Sequence, residues 1–70
     1  MKDIINALKA SEPVDELKKV VQSWRDKGFN KEQITKRLEE FFDSMHSNRY
    51  SELDEERILE VIDYVGEWED

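Results

Sequence analysis

Seventy residues without a cysteine make one small domain, spanning residues 1–70, that neither a disulfide nor a thiolate metal site can staple. Its stability rests on about twenty apolar side chains, each contributing roughly 1.5–3 kcal/mol when buried, against roughly 1–2 kcal/mol of ordering cost per residue, a margin thin enough for a partner or a second copy to help. A net charge of −7 disfavours nucleic acid and anionic membranes, which are bound through Lys and Arg. With no apolar signal region at Met1-Lys2-Asp3-Ile4-Ile5-Asn6 and no membrane-length apolar run, a cytoplasmic location is expected.

Residues from Met1 to about Ala10 read as a short helix with Met1, Ile4, Ile5 and Leu8 on one side. Ser11-Glu12-Pro13 breaks that pattern and opens a second helix, with Ser11 or Glu12 as N-cap, Pro13 in the first turn, and Asp15 and Glu16 suited to the positive end of the helix dipole. Val14, Leu17, Val20, Val21 and Trp24 form its apolar stripe. Lys27-Gly28 ends it, Gly28 taking the position where a left-handed backbone is needed. So tight a link makes the second and third helices neighbours.

The central helix is the most fully specified. Asn30 is its N-cap and Gln33 completes a capping box, while Phe29 and Ile34 occupy the two positions of a hydrophobic staple. Ile34, Leu38, Phe41, Phe42 and Met45 follow on one face, with Phe42 or Met45 as a candidate for an edge contact in a dimer. His46 through Ser51 is polar and aperiodic and reads as the one real loop. The spacing then predicts a last helix with Asp54 as N-cap, Leu53 and Ile58 as staple, and a buried face of Ile58, Val61, Ile62 and Val65. Gly66 is expected to end it and Trp68 to fold back onto it. Trp24 and Trp68 are expected to close the core. The sum is an all-α protein, three long helices plus a short N-terminal one in a small antiparallel bundle.

Charge is distributed unevenly. Residues 1–27 hold six basic and five acidic groups, residues 28–50 four of each, and residues 51–70 one basic and nine acidic. The last helix therefore carries the whole imbalance. At about 100° per residue, Glu56, Glu60, Asp63 and Glu67 line up opposite its apolar face. Carboxylates three and four positions apart repel by a few tenths of a kcal/mol per pair, a cost that a binding role explains. Tyr64 lies beside the row and Leu59 flanks its other side, and Tyr50 is expected to reach the same area; tyrosine joins apolar area to a polar tip and anchors interfaces well. These six residues, Glu56, Glu60, Asp63, Tyr64, Glu67 and Tyr50, are the candidate partner-binding set, and their charge calls for a basic protein partner. A merely solvated acidic face is the competing reading.

Catalysis is not expected. The single histidine, His46, lies in a polar stretch between Ser44 and Ser47 with no cysteine in the chain, a pattern that specifies neither a nucleophile and base nor a metal site. Two glycines make no phosphate loop, and no calcium loop is present. No cofactor is implied.

Over residues 28–68 the chain resembles the small acidic immunity proteins that bacteria make against secreted toxins. The resemblance lies in Gly28-Phe29-Asn30-Lys31-Glu32-Gln33-Ile34 opening a helix, the polar loop with Tyr50, and the run from Asp54 to Trp68 containing Ile58-Leu59-Glu60-Val61-Ile62-Asp63-Tyr64-Val65. It implies a soluble helical inhibitor, bacterial and cytoplasmic, whose acidic, tyrosine-bearing surface masks a basic toxin such as a nuclease. Lys27-Gly28-Phe29 and the helix after it are also similar to three-helix ubiquitin-binding domains, although here a staple accounts for Phe29. Two other readings compete: a helical assembly module that self-associates or docks through an apolar seam at Leu59, Phe42 or Trp68, and a helix-turn-helix regulator using Lys31, Lys36 and Arg37, which Glu32, Glu39, Glu40 and Asp43 on the same outer surface disfavour.

Overall fold

A computed structural model describes residues 2–69 as four α-helices: α1 (Lys2–Leu8), α2 (Pro13–Asp26), α3 (Lys31–Ser47) and α4 (Glu52–Gly66). The chain is all-helical among the described residues. Its radius of gyration is 11.3 Å, close to the roughly 11 Å expected of a folded chain of this length. The most extensive helix contact joins α3 to α4, followed by α1 with α2 and α2 with α4. The contact of α2 with α3 is smaller despite the tight turn between them, so α2 is held mainly by α1 and α4.

One core runs through all four helices: Ile4, Ala7 and Leu8 from α1, Leu17, Val21 and Trp24 from α2, Ile34, Leu38, Phe41 and Met45 from α3, and Ile58, Val61 and Val65 from α4. No polar side chain is buried among the described residues. Val14, Val20, Phe42 and Ile62, expected on buried stripes, lie half-buried at the margin of this core. Of the two candidates for an edge contact, Met45 is fully buried and only Phe42 reaches the margin. Ala7 joins the core although the apolar pattern of α1 does not single it out.

Helix α1 stops at Leu8, two residues earlier than expected, and Met1 lies outside the described residues. Helix α2 starts at Pro13 with Glu12 at the cap position, but no side chain caps it. Its C-terminus forms a complete Schellman motif. The Phe29 N–H donates to the Trp24 carbonyl at 3.1 Å and the Gly28 N–H to the Arg25 carbonyl at 3.0 Å, with Gly28 at φ 104° as that turn requires. Helix α3 then opens with the expected capping box: the Gln33 N–H donates to Asn30 Oδ1 at 2.8 Å, and the Asn30 N–H donates to Gln33 Oε1 at 2.9 Å.

Two boundaries differ from the sequence reading. Helix α3 continues through His46 to Ser47, which shortens the loop to Asn48–Ser51. Helix α4 begins at Glu52 with Ser51 as its N-cap, the Asp54 N–H donating to Ser51 Oγ at 3.2 Å. Asp54 is thus the third residue of the helix, not its cap, and it pairs with Arg57 at 3.3 Å. Starting the helix earlier turns Leu53 outward; it is 55% exposed and staples nothing. At the other end Gly66 is the last helical residue, without a positive φ, and Glu67 takes the cap position.

Trp68 folds back as expected and stays half-buried. The Tyr64 and Trp68 rings meet edge to face at 5.6 Å, the Arg25 guanidinium lies 4.8 Å from the Trp68 ring centre, and Lys31 Nζ donates to the Trp68 carbonyl at 3.1 Å. Arg37 stacks on both Phe29 and Trp24, at 4.7 and 5.3 Å. Cations over aromatic faces contribute about 0.5–1 kcal/mol each at exposed sites: Arg37 braces the α2–α3 corner itself, and Arg25 ties the segment after α4 to it through Trp68.

A candidate binding face on the last helix

Helix α4 sorts its carboxylates into two groups. Asp54 and Glu55, half-buried at the edge of the helix, each face a cationic or ionisable partner: Arg57 Nη1 lies 3.3 Å from Asp54, and His46 Nδ1 lies 3.1 Å from Glu55. His46 reaches Glu55 because α3 is longer than the sequence suggested, and its ring also meets Phe42 edge to face at 5.6 Å. Glu56, Glu60, Asp63 and Glu67 are all exposed, and among the described residues no basic side chain forms an ion pair with any of them. Glu56, Glu60 and Asp63 belong to the helix, whereas Glu67 sits at its C-cap, its N–H donating to the Asp63 carbonyl at 3.2 Å.

The earlier start of α4 adds a member that sequence reasoning missed. Glu52 lies four residues before Glu56, so the exposed row becomes Glu52, Glu56, Glu60 and Asp63, rising about 17 Å along the axis. Ser51-x-x-Asp54 was the available signal, a serine followed three residues later by an acid ahead of an apolar run. The same shift leaves Leu53 on one flank of the row and Leu59 on the other, 55% and 45% exposed, the two large apolar side chains that stand out among the described residues.

The two tyrosines are not brought together. Tyr64, in the last turns of α4, is half-buried beside the row: Gln22 Nε2 donates to its hydroxyl at 3.3 Å and Lys18 Nζ lies 5.0 Å from its ring centre. Its hydroxyl and ring face are thus engaged by α2, and its ring also meets Trp68. Tyr50 precedes the first turn of α4 and packs at 5.8 Å against Phe41 of α3, beside a recess lined also by Ile5 and Asn48. Its N–H donates to the Met45 carbonyl at 3.3 Å, closing the C-terminus of α3. Tyr50 thus serves the end of α3, about 18 Å of helix away from Tyr64.

Chemically, the strip offers hydrogen-bond acceptors and negative charge on a convex rod with aliphatic edges. Among the described residues no three metal-ligating side chains converge, and no helix is long and apolar enough to cross a membrane. No protein-family model, curated protein or solved structure matches the chain.

Proposed function

We propose that the protein is a stoichiometric, non-enzymatic inhibitor of the immunity or antitoxin type, acting in the cytoplasm on an antiparallel helical bundle scaffold by presenting the outer face of α4 to a basic protein such as a toxin or nuclease. The observation that carries this reading is the division of labour on one helix. Acids at its inner edge are matched with Arg57 and His46, while Glu56, Glu60 and Asp63 stand exposed and unpaired with Tyr64 and Leu59 at their sides. Solubility alone would be served as well by mixed charge, and it gives no role to exposed leucines bordering the row. The reading calls for no cofactor and for no direct contact with nucleic acid or membrane.

Charge of this kind speeds association and selects partners, while short-range packing supplies most of the binding energy. Affinity capture from a lysate of the source organism, at low and moderate salt, tests it with two baits: wild type and Glu60→Lys/Asp63→Lys. The expected outcome is one basic protein retained by wild type alone and released as salt rises. Identical recovery by the two baits, or retention that salt does not weaken, overturns the proposal.

A further inference from the structure

The shape of the strip specifies what can lie on it. Leu53, Glu56 and Leu59 follow one another at steps of three residues, so each leucine stands diagonally across an acid from the other. Glu52, Glu56 and Glu60 run at steps of four. These are the two kinds of ridge by which helices pack. Each leucine is therefore a half-exposed aliphatic shelf beside a carboxylate, about 9 Å from its counterpart along the axis.

We propose that α4 receives a Lys/Arg-rich helix of its partner, the aliphatic stems of the basic side chains packing on Leu53 and Leu59 and their charged heads meeting Glu52, Glu56, Glu60 and Asp63. This rests on the reading of α4 as a binding face and names the element that the face recognises. Long basic side chains combine a hydrocarbon stem with a charged tip, which is what alternating shelf and carboxylate complement. Basic residues spaced four apart on a facing helix rise about 6 Å per step, the same as the acidic row, so the contacts stay in register. An extended segment fits worse. The convex surface of a helix offers its backbone no ladder, and the extended chain would bury N–H and C=O groups without partners, whereas a helix satisfies its own. A second copy of this chain is disfavoured by charge, because its α4 brings the same negative row.

Isothermal titration calorimetry with two synthetic peptides of equal charge, blocked at both ends, tests the inference. One is a helix of about five turns with lysine at every fourth position and alanine between; the other has the same lysines spaced by glycine and stays unfolded. Wild-type protein is expected to bind the helical peptide about tenfold more tightly, or about 1.4 kcal/mol. Leu53→Ser/Leu59→Ser is expected to remove most of that preference. Both leucines are exposed, so the variant keeps its fold, which far-UV circular dichroism checks. A neutralised variant, Glu56→Gln/Glu60→Gln/Asp63→Asn, is expected to bind neither peptide measurably at moderate salt. If the two peptides bind equally, or if the leucine variant retains the full preference, the helix-and-stem inference is overturned while an acidic binding face survives. If the neutralised variant binds as wild type does, the face itself is not used and the proposed function falls with it.

Discussion

Arg49 holds a backbone conformation that its side chain does not favour. It lies at φ 57°, immediately after the Asn48 cap of α3, and the following Tyr50 N–H closes a six-residue turn onto the Met45 carbonyl. Gly28 occupies the equivalent place after α2, also followed by an aromatic residue whose N–H reaches back inside the helix end. Left-handed backbone costs a residue with a Cβ roughly 1–2 kcal/mol, partly offset by the extra freedom of glycine in the unfolded chain. Arg49→Gly is therefore expected to stabilise the fold by about 0.5–1 kcal/mol and Gly28→Ala to destabilise it by about 1 kcal/mol, both measurable by urea unfolding. Gly66 is the opposite case. It is the last residue of α4, with an ordinary φ, and open space surrounds the point where an alanine methyl would project, so Gly66→Ala should gain about 0.5 kcal/mol. Gly28 was legible in the sequence because glycine advertises a left-handed turn. Arg49 was not, since nothing in an arginine announces that tertiary structure will hold it there.

At the level of the helix, the capping residues decide which faces the chain can present. Asn30→Ala removes a two-way capping box from α3, and Ser51→Ala removes the hydroxyl that accepts the Asp54 N–H; each is expected to cost about 1 kcal/mol in urea unfolding. Asp54→Ala should cost only a few tenths, because Asp54 contributes a first-turn charge and an i,i+3 pair with Arg57 and no cap. Equal losses for Ser51→Ala and Asp54→Ala would return the start of α4 to the position the sequence suggested. That ambiguity has a physical origin. Asp54 and Ser51 are both good caps, and apolar periodicity alone is satisfied by either start, since Leu53 can serve as a staple in one and an exposed residue in the other. Asn30 had no such rival: Gly28 before it and Gln33 after it leave one arrangement. The core stripes were legible for the same reason, a period of 3.6 residues, whereas Val14, Val20, Phe42 and Ile62 lie at stripe edges, where only the crossing of neighbouring helices sets their depth.

For the molecule as a whole, thirteen apolar side chains make the buried core among the described residues, and losing one of the fully buried ones is costly. Leu38→Ala should destabilise by about 2–5 kcal/mol, a large part of what so small a domain has to lose. The negative charge concentrated in the C-terminal third acts against this core, so stability is expected to rise between low and moderate salt as repulsion along α4 is screened. Glu60→Lys should raise stability slightly in urea unfolding at low salt while weakening partner capture, a combination that separates a functional row from a structural one. Which face bears the acids could be read from helical spacing, but the partition into paired and unpaired carboxylates could not, because it depends on where α3 ends and His46 lands. Finally, the way Trp68 is tied down gives the protein a built-in optical probe. Trp24 and Trp68 both lie against the α2–α3 corner, and their stacking partners Arg25, Arg37 and Tyr64 belong to α2, α3 and α4. Indole emission will therefore follow the undocking of the C-terminal segment from that corner, a local event that the far-ultraviolet helix signal, averaged over all four helices, will barely register.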